Sequence, residues 1–382
     1  FYKMKSTNDQ YILEYRGSDD NLVRPALPLD TPFDDPEVEF VTYAELSSIT
    51  REAWAAYFQA TYDLTDSLSF TGGIRYNHDK YTGEGATNSD TGDYTSGPFL
   101  QPDPTDGYST TEWTGKAALE YRITPENMVY ASYTRGFKPG GINSSAAGGN
   151  SSFLALGWDS GIKPTYLPET VNSFEIGSKN RFFDNTLQFN AAGFYYDYSN
   201  MQFLEEDAIP YGEGTSNAPS ARIYGLELET SWLIGSSLTF DGTASILGGE
   251  FDEDYLALDP SAALEAQNAA GYPDYLFWSN FYPAALAREG ARENINGNDV
   301  PKLPGFQGSA ALTYKGEIGP GELTARAQYL YRGKFFYRVF NDEYYDVTPA
   351  YQTVNLFLKY QLETAPIYFT ASVNNVFDVV GV

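Results

Sequence analysis

The stretch Ile367-Tyr368-Phe369-Thr370-Ala371-Ser372-Val373-Asn374 puts Ile367, Phe369, Ala371 and Val373 on one side, and Tyr368, Thr370, Ser372 and Asn374 on the other. The segment before it repeats the pattern. Val354, Leu356, Leu358, Tyr360 and Leu362 alternate with Thr353, Asn355, Lys359 and Gln361, and Phe357 is the one apolar residue on the polar side. A period of two belongs to a half-buried strand; a helix repeats near 3.6. Leu238, Phe240, Gly242, Ala244 and Ile246 continue the pattern upstream, as do Trp54, Ala56, Phe58, Ala60 and Tyr62, and Ala117, Leu119, Tyr121 and Ile123.

The length of these runs narrows the fold class. Each extends for roughly 10–15 residues, against about 5–6 in soluble sheets. A tilted strand crossing a bilayer needs about 9–11. The runs group into hairpins near 51–82, 109–137, 169–204, 220–252, 303–340 and 350–378, with a lone strand near 10–17, giving thirteen strands. Short connections with turn chemistry, such as Thr65-Asp66-Ser67, Asp184-Asn185 and Gly319-Pro320-Gly321, alternate with long ones at 18–50, 83–108, 138–168, 205–219, 253–302 and 341–349. Outer-membrane barrels sort their connections in this way.

Charge follows the same division. The chain carries 24 basic and 51 acidic residues, a net of −27. The six long segments hold 29 of the acidic and 6 of the basic ones, so the acidity belongs to one end of the structure. The wall itself carries Lys116, Glu120 and Arg122 on one side of a strand, and likewise Glu175, Lys179 and Arg181, and Glu227 and Glu229. Each Arg or Lys facing lipid at mid-depth costs about 2–4 kcal/mol, so these sides belong to a wet lumen. Tyr and Trp near strand ends suit the two interfaces. Ala-rich runs in 253–302 predict short helices there.

Composition removes other classes. The acidity argues against nucleic acid as a partner. Zero Cys excludes disulfides, Cys-ligated zinc and thiol catalysis, and one His, His78, leaves no multi-His metal site. No catalytic constellation stands out, so no enzyme activity and no cofactor are expected. The chain starts at Phe1 without a signal-peptide pattern, and no run approaches 18 apolar residues.

Tyr130-Ala131-Ser132-Tyr133-Thr134-Arg135-Gly136-Phe137-Lys138-Pro139-Gly140-Gly141-Ile142-Asn143 resembles TonB-dependent outer-membrane receptors, in which a strand ends in a similar Ser–Arg–Gly–Phe–Lys–x–Gly–Gly run. Four further stretches are similar to the same family, in the same order: Glu169 to Gln202, Ala221 to Glu229, Gly297 to Pro304, and Val373 to Asp378. The resemblance implies a receptor in the outer membrane of a Gram-negative bacterium. Its barrel of about 22 strands holds an N-terminal plug, and it imports a scarce ligand with energy from the TonB complex. The cargo implied is a siderophore-type iron complex, cobalamin, haem or an oligosaccharide. No plug or TonB box is recognisable, and one more strand is expected after Phe377-Asp378. The expectation for 1–382 is therefore a single partial transmembrane antiparallel β-barrel of about 13 strands, with plug, early strands and last strand absent. Its partners are the TonB complex through the plug, the lipid bilayer and the ligand. Two alternatives stay open: a passive porin-like channel, and a soluble β-rich binding protein.

Candidate ligand contacts gather at the loop end. Arg135 and Lys138 lie where a strand meets a long loop; the plainer reading is a structural turn built on Gly136, Gly140 and Gly141. Trp158 and the run Phe335-Phe336-Tyr337-Arg338 offer rings and charge for a flat organic ligand, against a plainer reading as girdle and loop packing. Acidic clusters at 34–39, 205–207 and 252–254 match no calcium-loop spacing, and solvated loop charge is their ordinary reading. Acidic loops would also repel small polyanionic chelates, which tilts the ligand toward a neutral complex or a carbohydrate.

Overall fold

The computed structural model describes residues 2–14, 40–88, 101–102, 107–143, 163, 165–206, 213–274 and 282–380. Thirteen long strands follow one another in sequence and in space. They are β1 (Tyr2–Glu14), β2 (Phe40–Asp63), β3 (Leu68–Asn88), β4 (Tyr108–Thr124), β5 (Asn127–Lys138), β6 (Glu169–Phe182), β7 (Leu187–Glu206), β8 (Glu213–Ile234), β9 (Leu238–Phe251), β10 (Phe306–Ile318), β11 (Gly321–Arg332), β12 (Tyr351–Leu362) and β13 (Tyr368–Val373). Each pairs antiparallel with the next, and Gln101–Pro102 adds a short piece beside the tip of β3. This is the wall of a partial antiparallel barrel.

The register shows why the alternation works. Directly paired residues share a face. Tyr62 pairs with Phe70, Phe70 with Leu119, Leu119 with Ala131, and Ala131 with Ile176. The row runs on through Gly193, Leu226 and Ile246 to Phe306. At the other end Phe240 pairs with Leu312, Leu312 with Ala327, Ala327 with Leu356, and Leu358 with Ala371. An apolar band therefore crosses the wall from β2 to β13, with Asn355, Lys359, Thr370, Ser372 and Asp241 on the opposite face. On β2 the band runs from Trp54 to Tyr62, about 26 Å along the strand and roughly 20 Å of height at a 40° tilt. Charges return to the band's face only beyond it, as in the pair between Lys3 and Glu52 (2.5 Å).

The polar face is internally bonded. The Tyr130 hydroxyl donates to Glu175 Oε1 at 2.6 Å, and Lys179 lies over the Tyr130 ring. Asp241 accepts from Ser231 Oγ and from Arg326 Nη1, both at 2.9 Å. Short turns close the opposite end. In two of them a threonine hydroxyl holds the next backbone amides: Thr65 Oγ1 accepts from Ser67 N and Leu68 N, and Thr124 Oγ1 from Glu126 N.

Three expectations need correction. The strand placed alone near 10–17 lies at Tyr2–Glu14 and pairs with β2 from Phe40 to Ala53. The first hairpin is longer than 51–82, since β2 and β3 pair out to Ala44 and Asn88. The hairpin placed at 303–340 ends its second strand at Arg332, and Phe335–Phe336 pairs with Val347–Thr348 as a separate ribbon. Polar composition hid the first two extensions, because strands that rise above a bilayer lose their apolar side.

Helices α1 (Pro260–Ala269) and α2 (Tyr282–Glu289) sit on the expected Ala-rich segment. Asp259 caps α1 by accepting from Ser261 N at 3.0 Å, and Pro260 suits the first turn. Below the helices a short ribbon pairs Leu256–Leu258 with Arg292–Asn294.

A hydrophobic core lies at the loop ends of β7, β8 and β9. Ala218, Ala221, Phe251, Ala257, Ile295, Val300 and Val339 are buried in it, with Tyr198, Met201, Phe203 and Ile223 packed around. Tyr198 and Met201 are three apart, a spacing that plain alternation sends to opposite faces. Asn200 between them has φ +55°, and the strand turns over there while its pairing to β8 keeps register.

Candidate functional site

The loop end is built from three tied pieces. In the first, β5 runs out at Lys138 into Gly140, Gly141, Ile142 and Asn143. A Cβ on Gly140 would come 2.3 Å from Tyr166 O and 2.6 Å from Tyr108 Oη, and one on Gly141 would come 2.4 Å from Tyr166 Oη. Only glycine fits this approach. Asn143 then replaces a missing backbone partner: its Nδ2 donates to Thr215 O and its Oδ1 accepts from Thr215 N, both at 2.8 Å. Asn217 does the same for Leu167, at 2.8 and 3.0 Å. Two side-chain amides thus stitch the segment after β5 to the tip of β8.

The second piece joins the ribbon under α1 and α2 to the wall. Arg292 Nη1 donates to Glu205 Oε1 at 2.8 Å, and its Nε to Glu289 Oε1 at 2.6 Å. The Tyr255 hydroxyl donates to Glu205 Oε2 at 2.7 Å. Burial, together with the Glu205 carboxylate, pushes the Tyr255 hydroxyl well above the usual phenol range. Burial works against the Arg292 charge, but Glu289 and Glu205 outweigh it and raise the guanidinium further. Arg288 Nη1 bonds Gln267 Oε1 at 2.6 Å and locks α1 to α2.

The third piece is the segment after β11. Arg338 bonds the buried Asp346 through Nε, and Asp259, the cap of α1, through Nη1 at 2.7 Å. The rings here are paired with cations: Arg332 over Phe335 (4.5 Å), Lys334 over Phe336 (5.1 Å) and Lys302 over Tyr337 (4.5 Å).

The structure separates the six candidate residues that lie among the described ones. Arg135, on the last rung joining β4 and β5, reaches Asn172 Oδ1 at 3.2 Å and Glu112 at 3.7 Å. Lys138 is exposed at the end of β5. Phe335 and Phe336 are half-buried in their ribbon, Tyr337 is 59% exposed, and Arg338 is engaged with two carboxylates. Trp158 lies outside the described residues, as does the acidic cluster at 34–39. Arg135 and Lys138 stand on a different element from 335–338. Sequence reasoning read Glu205 as solvated charge in the cluster 205–207, though its side chain is buried, named Lys302 only within the stretch Gly297 to Pro304, and passed over Tyr255, Asp259, Arg292 and Asp346. Asp259-Pro260-Ser261 is a helix-start signal that was readable; the other partners are far apart along the chain. Among the described residues no group of three or more His, Asp or Glu side chains is placed to hold a metal ion. Asp254, for one, accepts from Asn294 and Asn296 at 2.9 and 2.8 Å, and these bonds hold its carboxyl below the usual range.

A family model described as "TonB dependent receptor-like, beta-barrel" matches residues 5–376. The chain belongs to this receptor family. Such receptors lie in the outer membrane of Gram-negative bacteria, and no described helix is long and apolar enough to cross a membrane. The receptor is similar to the pesticin receptor of Yersinia enterocolitica, at 28% identity over 228 residues, covering 59% of this chain and 30% of the relative. It is 28% identical over 276 residues to the catecholate siderophore receptor Fiu of Escherichia coli, covering 69% and 34%. Among solved structures, the ferric yersiniabactin uptake receptor FyuA from Yersinia pestis aligns with a TM-score of 0.64 at 20% identity, over 91% of this chain and 43% of that one. Fiu in its closed form aligns at 0.58 and 18%, over 99% and 47%. The chain spans about a third of the length of the curated relatives it matches. At these identities the structural likeness establishes the fold alone.

Proposed function

We propose that this chain is part of the wall and loop end of a receptor that captures a ferric siderophore-type complex outside the cell. The complex then passes inward through a lumen holding a plug, with energy supplied by TonB acting on that plug. The carrying observation is the receptor-family match across residues 5–376. The relative named as a catecholate siderophore receptor supports the ligand class. On this reading the thirteen strands belong to a larger closed barrel, since an open edge in lipid leaves backbone groups unsatisfied.

Part of the loop acidity is paired within the loop end. Glu205, Glu289, Asp259 and Asp346 are occupied by Arg292 and Arg338 within the loop end. The siderophore-receptor relative, and not the loop charge, moves the expected ligand from a carbohydrate toward an iron chelate. Arg135, Lys138, Trp158, Phe335, Phe336, Tyr337 and Arg338 are the proposed contacts, with Tyr337 and Lys138 the most accessible of those described.

The test uses the full-length receptor in a strain lacking its own gene, starved of iron and offered a panel of ferric catecholate, phenolate and hydroxamate siderophores. Uptake of labelled iron from one of them, lost when TonB is removed, is the expected result. Uptake indifferent to TonB would instead identify a passive channel. No iron uptake, together with growth on oligosaccharides, would overturn the ligand class.

A further inference from the structure

The core at the ends of β7–β9 has two sources. Ala218, Ala221 and Phe251 come from the wall; Ala257, Ile295, Val300 and Val339 come from the segments 252–274, 282–305 and 333–350. Its position relative to the wall is fixed by alternation. Ala221 and Ile223 alternate along β8 with Tyr224 and Leu226, which lie in the apolar band. The core therefore sits on the opposite, lumen-facing side. These segments lean over the lumen and do not splay away from it.

Backbone bonds cross between the segments and the wall. Gly297 N donates to Phe251 O at 2.8 Å, Phe251 N to Asn298 O at 2.9 Å, Val300 N to Gly249 O at 3.0 Å, and Leu247 N to Gly305 O at 3.0 Å. Asn298 Nδ2 reaches Val339 O at 2.9 Å and Phe340 O at 3.1 Å, joining one segment to the other. One arginine adds to the attachment, Arg292 to Glu205 on the wall, and a second, Arg338 between Asp259 and Asp346, joins the segments to each other. The side chains of Glu205, Asp259 and Asp346 are all nearly sealed from solvent. Lifting the segments would expose the core and part Glu205 from its arginine in one movement.

We propose that residues 252–274, 282–305 and 333–350 form a fixed roof over the β7–β9 side of the lumen and do not act as a lid that opens. The gap a ligand must fit is then bounded on this side before the ligand arrives, and any closure on the ligand is made elsewhere. Apolar packing, crossing backbone bonds and the buried Arg292–Glu205 pair each tie the same surfaces together.

Hydrogen exchange on the full-length receptor in detergent micelles tests this without a ligand. A rigid lid on a hinge would keep its internal bonds, such as Ala263 N to Asp259 O and Ala270 N to Ala266 O, and break the crossing ones. The expected result is that the amides of Gly297 and Val300 exchange within about tenfold of amides in the middle of β8. Exchange a hundredfold or more faster at Gly297 and Val300, with Ala263 and Ala270 still protected, would overturn the proposal. In Arg292→Gln the crossing amides should speed up about tenfold while those of β11 and β12 hold. No change in that variant would mean that the arginine does not fix the roof.

Discussion

Tyr130 shows how one residue serves wall and lumen together. Its hydroxyl is bonded to Glu175 while its ring covers Gly177, where a Cβ would come 2.6 Å from the hydroxyl oxygen. Gly193, on the neighbouring strand, is different, since a Cβ there meets only Gly225 O at 3.9 Å. Gly177→Ala should lower the folded yield, scored by heat-modifiable gel mobility, and Gly193→Ala should leave it unchanged. Equal yields would mean that the ring moves aside at no cost. A second pair tests the two faces. Phe240→Arg puts a charge on the apolar band at a cost of about 2–4 kcal/mol near mid-depth. Asp241→Asn weakens only a half-exposed pair with Arg326, about 0–1 kcal/mol. Refolding into lipid vesicles should fail for the first and succeed for the second. The reverse outcome would turn the wall inside out. These positions were legible in the sequence because alternation alone assigns a face to each.

Among the elements, α1 depends on a carboxylate with two duties. Asp259 caps the helix and also binds Arg338. Asp259→Asn keeps the cap and loses the ion pair, whereas Asp259→Ala loses both, with about 1 kcal/mol for the cap alone. Protease resistance of 260–289 should therefore fall in the order wild type, Asn, Ala; an Asn variant as weak as Ala would make the cap negligible. The ribbon beneath responds to acid. Because the Asp254 carboxyl is held below its ordinary value by Asn294 and Asn296, its contribution is present above the unfolded-state value near 4 and is lost as pH falls through its depressed folded value. Protection of Tyr255 N, which donates to Asn294 Oδ1, should fall on acidification below about pH 4 once the intrinsic exchange rate is divided out, and Asp254→Asn should flatten that response. Helix positions on this segment were readable from alanine content and the Asp-Pro-Ser start. Their attachment was not, because Arg338 meets Asp259 from 79 residues away and nothing local marks either partner.

At the scale of the whole molecule, sequence and structure agree on thirteen strands and on one apolar face, because hydrogen-bonded neighbours are also neighbours in sequence. The loop end is where reading by pattern runs out. Phe335, Phe336 and Tyr337 read as free rings, yet each is covered by a cation from Arg332, Lys334 or Lys302, two of them nearby and the third from another loop. In the full-length receptor, Tyr337→Ala should weaken binding of whichever ferric siderophore it imports about tenfold or more, with barrel mobility on gels unchanged. Arg338→Ala should instead loosen the roof as well as any binding, because its two carboxylates would lose their shared partner. If the Tyr337 and Lys138 variants both bind normally, the ligand rests on other surfaces.

The stitching of the loop end also implies an order of assembly. Wall pairs within each hairpin close over turns of a few residues. Asn143 with Thr215, Arg338 with Asp259, and Glu205 with Arg292 join positions 72, 79 and 87 residues apart. Such closures carry the larger entropic cost and gain little until both ends have been positioned by something else. The wall can zip up hairpin by hairpin, and the roof can settle only once β7 to β11 stand side by side. A newly exported chain should pass through a stage in which the wall already resists protease and residues 260–289 are still cut.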